Sequence, residues 1–317
     1  MNAPAIRLRG VSKRFGKTTA VRDLDLEVPP GSIYGLIGPN GAGKTTAIRI
    51  MLDIIGADLG TVEMFGTTDV EAARSRVGYL PEERGLYPKM SLVDHLVFFG
   101  ELKGMSRSEA RRAALEGLEE MSLIERADDK VETLSKGMAQ KAQFLGTVLH
   151  RPDLLILDEP FSGLDPLNVD LFKRMILERQ REGVTVLFST HMIEDAERLC
   201  ERVCMIAGAT KVLDGRVGEV KSASERQHVA LAFEGDGAFL ERSGLVDRVA
   251  DHGRCVEARL APDADPQRLL ELAVASGVRV SRFELVEPSL REIFIEKALA
   301  AGLSAEDAPD EPGAVAA

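Results

Sequence analysis

Over residues 5–37 apolar and polar positions partly alternate. Val21, Leu24, Leu26 and Val28 are interleaved with charged side chains, which predicts strands with one buried face. Alternation then gives way to a short apolar run, Ser32-Ile33-Tyr34-Gly35-Leu36-Ile37, read as a further strand that opens into a Gly-rich stretch and an apolar helical segment from Ala47 to Ile55. From about Ser91 to Ser122 the spacing becomes helical, with Leu92, Leu96, Phe99, Leu115 and Leu118 flanked by charges, and this predicts a helical insert. Two short apolar strands, Leu154–Leu157 and Val184–Phe188, bracket a helix-length segment at 166–182, the order of a parallel βαβ unit. A second unit begins near Glu219. Val229, Leu231 and Phe233 alternate, Asp251-His252-Gly253 forms a turn before Val256–Leu260, Asp265-Pro266 opens a helix that ends at Ser276-Gly277, and Val278–Val286 is another strand. Ser289 and Glu292, three apart, form a capping-box signal for a last helix, Leu290 to Leu299. Residues 301–317, rich in Ala, Asp, Glu and Pro, predict a disordered acidic tail. The expected organisation is an α/β domain at 1–218 with its helical subdomain at about 86–150, a small α+β accessory domain at 219–300, and the tail.

Composition narrows the function. At 44% hydrophobic and 29% charged over 317 residues, the chain has the ordinary globular mix. No apolar stretch approaches the roughly 18 residues a membrane-crossing helix needs, and Met1–Arg9 lacks the apolar core of a secretory signal, so a cytoplasmic chain is expected. The net charge of −11 is unevenly spread, with 11 basic and 18 acidic residues after position 220. A diffuse acidic surface disfavours nucleic acid, whose phosphates need a basic face. Cys200, Cys204 and Cys255 have neither redox-pair nor zinc-knuckle spacing and are expected to be unremarkable thiols.

The strongest local chemistry lies in Gly38-Pro39-Asn40-Gly41-Ala42-Gly43-Lys44-Thr45-Thr46, which fits the P-loop pattern. Its glycines let backbone N–H groups curl round a polyphosphate at a helix N-terminus. Lys44 neutralises the β/γ oxygens, and the Thr45 hydroxyl reaches Mg²⁺. Leu154-Leu155-Ile156-Leu157-Asp158-Glu159 supplies the carboxylates such a site needs: the strand delivers Asp158 to the metal and sets Glu159 beside an attacking water. Two adjacent carboxylates at a strand end repel unless a cation sits between or beside them. His191 follows the strand at Val184–Phe188, at the edge where ligands gather in parallel sheets.

With these motifs in order, the chain from about Ile6 to Val217 resembles the ATP-binding subunits of ABC transporters. Phe15 stands where that family stacks an aromatic on adenine. Tyr79-Leu80-Pro81-Glu82-Glu83 is similar to the Q-loop, Leu134-Ser135-Lys136-Gly137-Met138 to the signature motif, Ser162-Gly163-Leu164-Asp165 to the D-loop, and His191 to the switch histidine. The resemblance implies a P-loop NTPase fold with an inserted helical subdomain and a head-to-tail dimer, homo- or heterodimeric, that closes on two ATP molecules. In such a dimer Ser135, Gly137 and Asp165 act on the nucleotide held by the partner's P-loop, while Glu159, His191 and Lys44 carry catalysis and Thr45, Asp158 and Glu82 hold Mg²⁺. Position 82 carries Glu where Gln is usual, and Lys136 and Met138 replace a Gly and a Gln of the common signature. Glu287-Pro288-Ser289-Leu290-Arg291-Glu292-Ile293-Phe294 resembles the end of the extra domain of ABC-2-type exporter ATPases. This implies separate ABC-2-type permease subunits in a membrane, docked by a groove between Glu82 and the insert around Leu86–Phe99. Rival readings are a soluble ABC-type ATPase acting on DNA or ribosomes and an ATP-binding regulator without turnover. Against the first, only 89 residues separate Thr45 from Leu134, too few for the long coiled coil of the DNA-repair relatives, and there is one P-loop.

Overall fold

The computed structural model describes residues 3–83, 85–223, 227–251, 253 and 255–303. His252 of the predicted turn and residues 304–317 of the predicted tail lie outside them. In chain order the elements begin β1 (Ile6–Phe15), β2 (Thr18–Val28), β3 (Ile33–Ile37), α1 (Lys44–Met51), β4 (Leu59–Met64), α2 (Val70–Ala73), β5 (Val77–Leu80), α3 (Leu92–Leu102), α4 (Arg107–Glu120) and α5 (Lys136–Val148). They continue with β6 (Leu154–Asp158), α6 (Pro166–Arg181), β7 (Thr185–Thr190), α7 (Ile193–Leu199), β8 (Arg202–Ala207), β9 (Thr210–Arg216) and α8 (Val217–Ser222). The last set is β10 (His228–Glu234), α9 (Ala238–Arg242), β11 (Val246–Asp251), β12 (Val256–Leu260), α10 (Pro266–Ala275), β13 (Arg279–Val286) and α11 (Leu290–Ala300). Two compact units result: one holds the described residues up to Gly215 together with those from Lys297 onward, the other Arg216–Glu296.

In the first unit, six strands form a sheet in the order β5-β6-β7-β3-β8-β9, and β2-β1-β4 form a second, antiparallel sheet. The pairings β5–β6, β6–β7, β7–β3 and β3–β8 are parallel. The strands β3, β6 and β7 are buried at every position, which is why each carries an unbroken apolar stretch rather than an alternating one, with buried polar residues confined to the ends of β6 and β7. Their carboxyl ends are aligned: Ile37 lies opposite Thr190, and Asp158 opposite Ser189. The strand order β6-β7-β3 therefore gathers three loops, distant in sequence, at one edge of the sheet.

The helical insert expected from about Ser91 to Ser122 is built there of two helices. Gly104, at φ 87°, turns the chain after α3, and Ser106 with Glu109 makes a reciprocal capping box that starts α4. The segment Ala47 to Ile55 is helical only to Met51, because Asp53 adopts the left-handed conformation at φ 53°.

His95 of α3 is 1% exposed, and burial drives its pKa down to about 4. His150, also lowered to about 4, is affected first by burial and then by the nearby Lys103 charge, against the pull of the Val77 carbonyl. Both imidazoles stay neutral in the fold, while an unfolded histidine titrates near 6.5. The unfolded chain therefore binds more protons between those values, so stability is full above about pH 6.5 and falls as the pH drops toward 4. Thermal denaturation from pH 8 to 4.5 should show this loss, and His95→Phe should flatten part of the slope.

The second unit is an antiparallel sheet in the order β11-β12-β10-β13. One face buries Val229, Leu231, Ala258 and Leu260 against Phe239 and Leu240 of α9 and Leu269 and Ala273 of α10. Asp265 accepts from the Gln267 N–H at 2.9 Å, and Pro266 occupies the first turn of α10, so the Asp-Pro start expected from sequence is built as a capped helix.

Candidate functional site

The loop between β3 and α1 can curl only because its glycines reach conformations and contacts closed to other residues. Gly41 and Gly43 sit at φ 79° and 106°. A β-carbon on Gly38 would collide with the Ile206 carbonyl oxygen, and one on Gly43 with that of Ala20. No side chain caps α1, so its first N–H groups face the loop's concavity and make an anion cradle.

Lys44 opens α1 and is 5% exposed. Its Nζ donates to the carbonyls of Gly38 at 2.7 Å and Pro39 at 3.1 Å and lies 3.2 Å from Glu159 Oε1. The other Glu159 oxygen is 2.9 Å from His191 Nδ1. One buried carboxylate is thus held between the P-loop lysine and the histidine that follows β7. Burial raises the Glu159 pKa, but the His191 hydrogen bond and the Lys44 charge outweigh it and bring it below the ordinary glutamate range. Glu159 also adopts φ 48°, a left-handed conformation that costs about 1–3 kcal/mol in a side chain of this kind and that persists where surrounding contacts enforce it.

Asp158, 1% exposed, ends β6. Its Oδ1 accepts from Thr45 Oγ1 at 3.3 Å and from Ser189 Oγ at 2.5 Å, while Oδ2 is buried without a hydrogen-bond partner. A carboxylate oxygen left unsatisfied beside a threonine hydroxyl is a donor set suited to a hard divalent cation, so the residues present fit Mg²⁺. Glu82 and Glu83 are exposed, and both line a cavity of about 360 Å³ together with Asp158, Glu159, Lys136, Gln140 and Gln143.

Tertiary structure therefore brings together Gly38, Lys44, Thr45, Asp158, Glu159 and His191, with Glu82 across the adjoining cavity. It does not bring in the rest. Phe15, at the end of β1, is 52% exposed, with Lys13 Nζ 5.6 Å from its ring centre. Ser135 is exposed and caps α5, its hydroxyl accepting from the Met138 N–H at 3.3 Å. Asp165 caps α6, accepting from the Asn168 N–H at 3.0 Å and side-chain amide at 2.6 Å, bonds that lower its pKa. Asn168 in turn packs on Gly137, close enough that a β-carbon there would lie 2.8 Å from its amide nitrogen. Among the described residues, no hydrogen bond or ion pair joins Ser135, Gly137 or Asp165 to the P-loop of the same chain.

Three contributors were missed in the sequence. Ser189, fully buried, bridges the Asp158 carboxylate and the Glu159 N–H, accepting the latter at 3.0 Å. Its only sequence signal is a hydroxyl one residue before the end of an apolar strand. Gln143 of α5 donates to the carbonyls of Pro81 at 3.4 Å and Glu83 at 3.3 Å, tying the segment that carries Glu82 to the helix that begins at the signature. Lys136, noted only as a departure, extends to Gly163, where a β-carbon would meet its Nζ.

Comparison with known proteins bears on the family and the fold. Residues 21–162 match the family described as ABC transporter, and residues 215–298 the ATP-binding protein DrrA1-3-like C-terminal domain. Over 287 residues the chain is 40% identical to the uncharacterized ABC transporter ATP-binding protein YhaQ of Bacillus subtilis, covering 90% of this chain and 96% of that one. It is 38% identical over 280 residues to the Nod factor export ATP-binding protein I of Paraburkholderia xenovorans, covering 84% of this chain and 92% of that one. A solved ATP-binding subunit of an ABC transporter superposes with a TM-score of 0.64 at 29% identity, over 69% of this chain and 92% of the other.

Proposed function

The chain belongs to the family of ABC transporter ATP-binding subunits and is an ATPase of that family, and from this premise we propose that it powers an ABC-2-type exporter from the cytoplasmic face of a membrane. ATPases of this family dimerise and pair with transmembrane permeases. Among the described residues no helix is long and apolar enough to cross a membrane. Export is the direction carried by a relative's function, and the accessory unit matches the C-terminal domain of DrrA-like proteins.

The observation that carries the mechanism is the Glu159 carboxylate clamped between Lys44 and His191 at the mouth of the P-loop. ATP enters the cradle of Gly38–Thr46 with its adenine against Phe15, and the polyphosphate draws Lys44 away from Glu159 and the loop carbonyls. Thr45 and Asp158 would hold Mg²⁺, with Glu82 or its neighbour reaching from the cavity wall, and the bound ion would supply positive charge to the polyphosphate. Freed from Lys44, Glu159 orients and accepts a proton from the attacking water. His191, still bonded to Glu159, contacts the γ-phosphoryl group and reports its presence to β7. Ser135, exposed at the cap of α5, and Gly137 in its first turn stabilise the γ-phosphate held by the partner, with the partner's face completed by the Asp165 loop. Closure of the pair pulls α5, and through Gln143 the Glu82 segment, so nucleotide state reaches the insert.

Beside that segment lies a second, apolar cavity of about 260 Å³, lined by Tyr79, Leu86, His95, Phe99, Gln143 and His150 among others. It supports the groove expected at Leu86–Phe99 as the seat of a permease helix. Tagged full-length protein, purified from detergent-solubilised membranes of its own cells, is expected to carry a multi-span membrane protein. Leu86→Asp should cut that recovery at least tenfold and leave the soluble ATPase rate within about twofold of wild type. Recovery of ribosomes or DNA in place of a membrane protein would overturn the transport reading.

A further inference from the structure

The second unit holds a cluster that ATP chemistry does not use. His228, at the start of β10, is 2% exposed, and its Nδ1 has no hydrogen-bond partner of acceptable geometry. That nitrogen lies 3.4 Å from Glu257 Oε1 of β12 and 3.3 Å from Glu292 Oε2 of α11, and the three ligand atoms fall within 4.8 Å of one another. Glu292 Oε2 is likewise buried without a hydrogen-bond partner.

The fold makes this convergence. Glu257 pairs with Ala230 and Arg259 with His228, so strand alternation sets His228 and Glu257 on the same face of the sheet, opposite the face that buries Val229 and Leu231. Glu292 arrives from the first turn of α11, where the Ser289 hydroxyl accepts its N–H at 3.3 Å.

From these positions we propose that His228, Glu257 and Glu292 form a binding site for a divalent first-row transition ion, with Zn²⁺ the best fit to one imidazole nitrogen and two carboxylate oxygens. An ion with bonds of about 2.0–2.1 Å in tetrahedral geometry separates its ligand atoms by about 3.3 Å, the spacing seen from His228 to each carboxylate. A buried nitrogen facing two carboxylate oxygens without making a proper hydrogen bond to either is the arrangement a shared cation satisfies. Both carboxylates are about one-fifth exposed, which leaves room for water as a fourth ligand. Bound, the ion would pin the start of α11 to β10 and β12.

The test uses the full chain, stripped with chelator and free of nucleotide and Mg²⁺, titrated with ZnCl₂ by calorimetry and with CoCl₂ by visible absorption. One equivalent of zinc is expected, with a rise in melting temperature and a cobalt spectrum of low coordination number. Glu292→Gln and Glu257→Gln each keep the side-chain volume, and the Ser289 hydroxyl still accepts the N–H of position 292, so both should fold. Each is expected to weaken zinc binding at least tenfold, and the pair together to remove the equivalent. No zinc uptake by the wild-type chain, or an isotherm unchanged in the double variant, would overturn the site.

Discussion

Glu159→Gln is expected to reduce ATP turnover by about 10²–10⁴-fold, the range supplied by a positioned general base, while ATP binding is retained. Gln matches Glu in size, so the contact with His191 and the unusual backbone at position 159 survive. What is lost is the capacity to accept the proton of the attacking water. The carboxylate is well suited to that role in the resting chain: its low pKa, set by His191 and Lys44 against its burial, keeps it ionised at neutral pH. Because closure precedes hydrolysis, the variant should accumulate as an ATP-bound dimer that elutes ahead of wild type on gel filtration. A variant that stays monomeric with ATP and hydrolyses at the wild-type rate would sink the mechanism.

Lys44→Ala should have the second large effect. Lys44 is a buried cation at the head of α1, and its Nζ is held among the Gly38 and Pro39 carbonyls and Glu159. Removing it deletes the charge that meets the β- and γ-phosphate oxygens, a loss of about 4 kcal/mol in the transition state, or about 10³-fold in rate. It also removes one of the two partners that lower the Glu159 pKa, leaving burial less opposed. Stopped-flow binding of a fluorescent ATP analogue should show weakened affinity alongside the lost turnover, in contrast to Glu159→Gln, where affinity holds. Affinity unchanged in Lys44→Ala would mean that the lysine is a structural partner of Glu159 alone.

The departures at Glu82 and Lys136 acquire a physical setting. Both residues line the cavity that contains Asp158 and Glu159, so a carboxylate at position 82 and a lysine at position 136 border the same space. Relative to the usual Gln and Gly at these positions, the two changes carry opposite charge, and their sum leaves the cavity's balance unaltered.

How much was legible in the sequence depended on how local the cause was. Strands β3, β6 and β7 were readable because burial on both faces demands apolar residues at successive positions, and β12 matched its predicted span, Val256–Leu260. The helical insert was legible from its spacing, and its division into α3 and α4 rests on signals just as local, Gly104 and the Ser106/Glu109 capping box. The P-loop was legible since a phosphate cradle needs glycines in fixed positions along one stretch. Ser189 and Gln143 were not, because a hydroxyl or an amide acquires its role only from what strand order and helix packing set opposite it.

The sequence by itself thus determined the pieces that obey short-range rules: the phosphate-binding loop, the strand that delivers Asp158 and Glu159, the helix starts at Asp265-Pro266 and Ser289. Only the tertiary structure decided their meetings. The order β6-β7-β3 puts Asp158, Ser189 and the P-loop side by side, although 113 residues separate Thr45 from Asp158. Antiparallel pairing of β10 with β12 likewise turns His228 and Glu257 to one face, where Glu292 joins them from a helix. Such contacts are fixed by sheet order and register, properties of the whole chain that no window of neighbouring residues contains.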